Sequence, residues 1–151
     1  MNPPVTQELV LERLCHVTSA YTAYVVSYDE DVRGRDTRHI LNVEVSEVFK
    51  NDGSQLSRVL SPGYEGPQLN VGEEVLIFAY TVPNKDYLEV RRCSVSAPLS
   101  HAGKYLEAIR AAASNLDHNC SGNTRDERAR ILREQADENM RRIIENEKGS
   151  S

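Results

Sequence analysis

The side chains best suited to nucleophilic or metal chemistry are three cysteines, Cys15, Cys93 and Cys120, and four histidines, His16, His39, His101 and His118. No C-x-x-C occurs and no histidine stands at a ligand spacing, so no metal site is expected. Cys15 and His16 are neighbours, but adjacent residues on a helix point in different directions, which argues against a Cys-His dyad. The chain has no G-x-S-x-G, no H-E-x-x-H, no phosphate-cradling loop and no glycine-rich turn after a strand. The carboxylate groupings Glu73-Glu74 and Asp29-Glu30-Asp31 sit in turn-like sequence and read as solvated. These residues point away from an enzyme and call for no cofactor. Asn119-Cys120-Ser121 matches a glycosylation sequon, a short pattern that arises often by chance. The odd cysteine count fits either three buried thiols or one bridge with one thiol over.

The chain has 151 residues, 39% of them apolar, with 18 basic and 23 acidic side chains and no Trp. That length suits one domain with a tail and allows roughly 70% of the unfolded surface to be buried. A net charge of -5 without clustered Lys or Arg disfavours nucleic acid and anionic membrane surfaces as partners. Tyr21, Tyr24, Tyr28, Tyr64 and Tyr80 therefore read as core or rim residues rather than base-stacking platforms. No apolar run approaches the ~20 residues of a spanning helix, so no membrane insertion is expected. Met1-Asn2-Pro3-Pro4 lacks the pattern of a signal peptide, which fits a cytosolic protein or a chain that begins after a cleavage site.

Four pieces would position these residues. In Thr6 to Thr18, Leu9, Val10, Leu14 and Val17 recur at helical spacing with Glu8, Glu12 and Arg13 outside the stripe, and Thr6 is the expected N-cap. From Tyr21 to Val95 the pattern is β. Tyr21 to Tyr28 is rich in aromatic and β-branched residues, Asp29 to Asp36 reads as a polar loop, and Leu41, Val43 and Val45 alternate with polar neighbours. Short runs follow at Ser57 to Leu60, Glu74 to Tyr80 (the most apolar), Tyr87 to Val90 and Cys93 to Val95, separated by turn residues. About five strands at short spacing with no helix between them predict an antiparallel meander curling into a small barrel. Pro98 to Leu116 predicts a helix capped by Ser100, whose Tyr105, Leu106, Ile109, Ala112 and Ala113 face the barrel. Thr124-Arg125-Asp126-Glu127 is a capping box opening a helix to Lys148 with seven acids and seven bases, in which Ile131, Leu132, Met140, Ile143 and Ile144 form a thin apolar stripe. The expected division is a domain over residues 1–120 and a charged C-terminal helix and tail over 121–151.

Several segments in order resemble the netrin-like module, specifically the N-terminal domain of the tissue inhibitors of metalloproteinases and their bacterial relatives. A helix ending in a cysteine leads into Ala23-Tyr24-Val25-Val26. Val43 to Lys50 is similar to the family's V-x-x-V-F-K-G strand end, with Asn51 where Gly is usual. Leu69 to Ala79 resembles its VGEKYLIFA strand, and Cys93 to Ala102 resembles its C-x-x-x-x-P-L-x-x-A step into a helix. The likeness covers about residues 6 to 120 and leaves out the last helix.

The resemblance implies a fold that is mainly β with flanking helices (α+β): a five-stranded OB-like antiparallel barrel, here followed by the charged helix. It implies a Cys15–Cys120 disulfide, and it leaves Cys93 unpaired, since the family's partner lies in a C-x-C where this chain reads Met1-Asn2-Pro3-Pro4. The expectation is that the chain as it stands begins after both that partner and a signal peptide, and belongs to a secreted, extracellular or periplasmic protein. The family inhibits through a first-residue cysteine placed on the protease zinc; this chain lacks it, so strong zinc-directed inhibition is not expected without restored upstream residues. The functional expectation is a non-enzymatic module binding a protein partner, a metalloprotease or another extracellular protein. Its surface would comprise Asn2, Pro3, Pro4 and Val5 with Ser94, Val95, Ser96, Ala97 and Pro98, the family's secondary contact region, and the loop Ser61 to Pro67. Alternatives are a metalloendopeptidase inhibitor and an assembly protein docking through the C-terminal helix. The sequence sets no oligomeric state.

Overall fold

The computed structural model describes residues 5–33, 36–61, 68–91 and 94–120, together with Arg130, Ile131, Glu134, Glu138 and Arg141. Helix α1 (Gln7–His16) starts where Thr6 Oγ1 accepts the Leu9 N–H at 3.2 Å, as a serine-like N-cap should. Its Val10, Leu11 and Leu14 are buried, with Val17 just beyond its end. Lys50 donates to the carbonyls of Leu14 (3.0 Å) and Cys15 (3.4 Å), so a cation closes the C-terminal end of the helix, where carbonyls lack intrahelical partners. Partial burial in that position pulls the Lys50 pKa below the ordinary lysine value.

Two long strands follow, β1 (Ser19–Arg33) and β2 (Asp36–Lys50), then β3 (Arg58–Leu60), β4 (Glu74–Thr81) and β5 (Leu88–Glu89). They close on themselves in the order β1-β2-β3-β5-β4-β1. The barrel is mixed rather than wholly antiparallel: β3 and β5 run parallel, with Val59 opposite Leu88 and Leu60 opposite Glu89. The all-antiparallel expectation assumed that sequence neighbours pair throughout. Here β4 leaves β3 to pair with β1, and β5 returns to fill the gap between β3 and β4. A short β6 (Ala97–Pro98) adds to the edge of β4 opposite Val75 and Leu76. The turn that launches β4 has Glu73 N–H donating to Asn70 O at 3.2 Å and Gly72 at φ +89°, the position of a type II turn that requires positive φ.

Asp29 to Arg33 belong to β1 rather than to a loop, pairing with Asp36 to Ile40; past Ile40, which also pairs with Leu60 of β3, only β1 and β2 pair with each other among the described residues. Their polar sequence has no apolar alternation and so carried no strand signal. The expected helix over Pro98 to Leu116 is broken into α2 (Leu99–Ala102), a 3-10 turn (Gly103–Tyr105) and α3 (Leu106–Ala113), followed by α4 (Leu116–Asn119). Pro98 occupies the N-cap position without a side-chain cap, and Ser100 lies inside α2.

Two buried clusters explain why β4 is the most apolar strand. Val75, Ile77 and Ala79 point into the barrel with Tyr21, Ala23, Val25, Leu41, Val43, Val59, Leu88 and Val90. Leu76 and Phe78, on the other face, pack with Val10, Leu14, Phe49, Val95, Ile109 and Ala112 beneath the helices. Both faces of β4 are therefore dry, and its sequence shows no alternation. The Tyr21 hydroxyl donates to Leu56 O at 2.8 Å, and burial holds its phenol pKa far above the usual value. On the surface, Arg110 of α3 forks onto Glu47 of β2 through three hydrogen bonds of 2.8 to 3.1 Å. The Arg110 hydrogen bonds hold the Glu47 carboxyl below its usual range.

Cys15 at the end of α1 is bonded to Cys120 just past the end of α4, with Cα atoms 5.5 Å apart and a sequence separation of 105. The bridge joins the first and last elements of the barrel domain across the helical cluster. In the C-terminal region Arg130, Ile131, Glu134, Glu138 and Arg141 are helical; Ile131 is half-buried and the four charged residues are exposed. Leu132, Met140, Ile143 and Ile144, and the capping box at Thr124 to Glu127, lie outside the described residues.

Candidate functional site

The segment after β5 has to satisfy a gap in the sheet. On the edge of β4 facing away from β1, Tyr80 and Thr81 pair with β5, and Val75 and Leu76 pair with β6. Phe78 lies between these pairings with its backbone polar groups turned to Ser94 and Ser96. The Phe78 N–H donates to Ser96 Oγ at 2.8 Å, and both Ser94 Oγ (3.2 Å) and Ser96 Oγ (3.3 Å) donate to Phe78 O. The two hydroxyls are 2.7 Å apart, and Ser96 N–H donates to Ser94 Oγ at 3.0 Å. Two serines thus replace a ladder rung, because a buried strand amide left unpaired is costly.

This arrangement decides where the expected binding strip stands. Val95 and Ser96 are buried, Ser94, Ala97 and Pro98 are half-buried, and the two serines are engaged with β4. Val5 is exposed, its carbonyl accepting from the Tyr105 hydroxyl at 3.1 Å. Asn2, Pro3, Pro4, most of the loop Ser61 to Pro67, and Cys93 lie outside the described residues.

Beside Ser94 and Val95 opens a cleft of about 350 Å³ between α1, β4 and the segment leading to β6. Its walls are Val17 of the α1 end, Phe78 and Tyr80 of β4, and Val95; its polar groups are Arg13, Arg91 and Ser94. The volume falls at the small end of the range for ligand pockets, roughly 300 to 1,000 Å³. Arg91 holds its guanidinium 3.7 Å from the Tyr80 ring centre, a cation–π contact that orients the side chain over an aromatic floor. Arg13 is half-buried, and its Nε is shut off from solvent with no hydrogen-bond partner. Among the described residues neither arginine is paired with a carboxylate.

Other chemistry-bearing residues are spent elsewhere. Cys15 is in the disulfide, and His16 Nε2 lies 3.0 Å from Glu12 Oε1, so the adjacent pair makes no dyad. Glu12, assigned to the wet side of α1 by its spacing, is buried. His39 meets the Tyr28 ring at a tilt of 58°, with ring centres 4.6 Å apart. Asn119 is fully buried and donates to Ala112 O at 2.9 Å, so the sequon is closed to glycan transfer in the folded protein. Among the described residues no group of three or more His, Cys, Asp or Glu could hold a metal ion, and no helix is long and apolar enough to cross a membrane. No protein-family model matches the chain, and no curated protein gives a significant match. Arg13 and Arg91 were invisible as a pair in the sequence: they are far apart along it, and Arg13 reads as an ordinary charge on the outer side of a helix. The one signal was aromatic residues at alternate positions of β4, Phe78 and Tyr80.

Proposed function

We propose that the protein is a non-enzymatic, secreted or periplasmic module of tissue-inhibitor-like fold that binds a protein partner. The observation that carries the reading is the Cys15–Cys120 bridge across a closed five-stranded barrel, between the two cysteines that the resemblance pairs. A structural disulfide of this kind persists in oxidising compartments, which supports export. The parallel β3–β5 pair inside an otherwise antiparallel barrel supports the OB-like arrangement, a scaffold that carries binding surfaces on its strands and loops. Tyr24, Val26, Val45 and Val48 on the barrel wall are exposed apolar side chains available for such contacts.

The test expresses the protein in its own cells, with a photo-crosslinking side chain at Tyr24 or Val48. Export with Cys15 and Cys120 oxidised, and one saturable crosslinked protein competed by unlabelled chain, is the expected result. Residence in the cytosol with both thiols reduced refutes the compartment. An exported chain with no competed crosslink at either position refutes the binding role. The purified chain, assayed against zinc metalloproteases before and after acetylation of its α-amine, separates inhibition from plain binding.

A further inference from the structure

We infer that the cleft between α1, β4 and the segment before β6 is a binding site for a carboxylate carried on an apolar body. The inference stands whether or not the protein-binding reading holds. In a chain with 23 acidic and 18 basic side chains, two arginines share one cleft and neither has a carboxylate among the described residues. They come from different elements: Arg13 from α1, and Arg91 from the segment after β5. The Arg91 guanidinium is fixed over Tyr80, and Arg13 has a buried, unpartnered Nε–H. A buried donor without a partner costs free energy, and an oxyanion meeting this guanidinium along its Nε edge would offset that cost. Arginine forks match planar oxyanions, carboxylate above all, in two-point contact.

The walls choose among anions. Val17, Phe78 and Val95 are apolar, and the Ser94 hydroxyl is engaged with Phe78 O. A small hydrophilic anion such as phosphate would leave these walls against water, whereas an aliphatic or aromatic group attached to the carboxylate covers them. A volume of about 350 Å³ has room for more than one aromatic side chain, since an apolar cavity of about 150 Å³ already holds benzene. The same chemistry is presented by a free arylalkanoic acid and by the C-terminus of a peptide ending in an apolar residue.

The test is an NMR titration of the full, oxidised chain with 3-phenylpropionate, with its uncharged amide, with inorganic phosphate, and with a short peptide ending in Phe as free acid or amide. Saturable shifts at Val17, Ser94 and Val95 are expected, with the amide at least about tenfold weaker, the loss of a bidentate charge-assisted contact. Arg13→Gln and Arg91→Gln should each weaken the acid by about tenfold while leaving the amide unchanged, and Arg13→Lys should recover only part of the loss. Tighter binding of the peptide acid than of the free acid assigns the site to chain termini, and the reverse order assigns it to small acids. Equal affinity for acid and amide, competition by phosphate at equal concentration, or no saturation by about 10 mM acid overturns the inference, since even a weak pocket of this size should bind in the millimolar range. The acid-to-amide comparison on the unaltered chain decides the question even where an arginine variant fails to fold.

Discussion

Replacing both Cys15 and Cys120 by Ala should remove about 4.8 kcal/mol of stability, because the bridge closes a loop of 105 residues and restricts the unfolded chain accordingly. The figure follows from the loop-closure entropy, about 16 cal/mol/K for that length, taken at 298 K. Cys15 also packs against the helical cluster, so truncation adds a small packing loss in the same direction. Domains of this size have roughly 5 to 15 kcal/mol in total, so the variant should sit near the edge of folding. Urea denaturation followed by circular dichroism is the assay, run on the oxidised chain, the reduced chain and the double variant. The midpoint should fall, and the slope should rise, as the uncrosslinked unfolded state exposes more surface. Intact-mass counting after thiol labelling should give one reactive cysteine in the denatured, unreduced protein, Cys93. Three labelled thiols, or a stability change under about 1 kcal/mol with an unchanged slope, would refute the argument that the clamp acts through the unfolded chain.

Ser96→Ala should cost about 1 to 3 kcal/mol, because the Phe78 N–H is left buried without an acceptor, and Ser94→Ala should cost a similar amount, since the Ser96 N–H then loses its acceptor although Phe78 O keeps the Ser96 hydroxyl; paired urea curves measure both. Tyr21→Phe should lose about 0.5 to 1.5 kcal/mol with the hydrogen bond to Leu56 O, and ultraviolet titration of the native protein should show one phenol that ionises only on alkaline unfolding. Glu47→Gln should cost under about 1 kcal/mol at neutral pH, as expected for an exposed ion pair. The Glu47 carboxyl is depressed in the folded state by Arg110, so its contribution is present above the unfolded carboxylate pKa and lost as pH falls through the folded one. The difference in melting temperature between wild type and Glu47→Gln should therefore shrink toward zero on acidification below about pH 4, and a constant difference down to pH 2 would contradict it.

Elements whose surroundings impose a pattern were legible. Helix α1 starts at the threonine as read and buries Val10 and Leu14 of its stripe, although Leu11 and Glu12 are buried beside them. β4 announced itself as an unbroken apolar run because the barrel takes one face and the helices take the other. The strand continuing from Asp29 to Arg33 was not legible, because its sequence has no apolar alternation. Nor was the parallel pairing of Val59 with Leu88, which depends on a non-local closure. The Cys15–Cys120 bridge came from resemblance rather than from residue chemistry, since three cysteines without C-x-x-C spacing fit free thiols equally well.

The cleft shows why a binding surface read from a linear strip can be displaced from where it lies in space. The resemblance placed Ser94, Val95 and Ser96 in a contact region, yet β4 lacks a neighbour at Phe78 and the two serines complete its hydrogen bonds. Filling that gap draws the segment after β5 against the sheet edge. Arg91 at its start is thereby set over Tyr80, beside the end of α1, where Arg13 stands on the neighbouring wall. Ser96 therefore acts on the cleft through its bonds to β4, while Ser94 both bonds β4 and lines the cleft. Ser96→Ala should accordingly weaken 3-phenylpropionate without touching it, whereas a substitution at exposed Val5 should change neither the cleft nor its affinity. Loss of affinity in Ser96→Ala together with shifts spreading to Arg91 would tie the sheet defect to the site. Full affinity in a folded Ser96→Ala protein would show that the arginines are placed by something other than this missing rung.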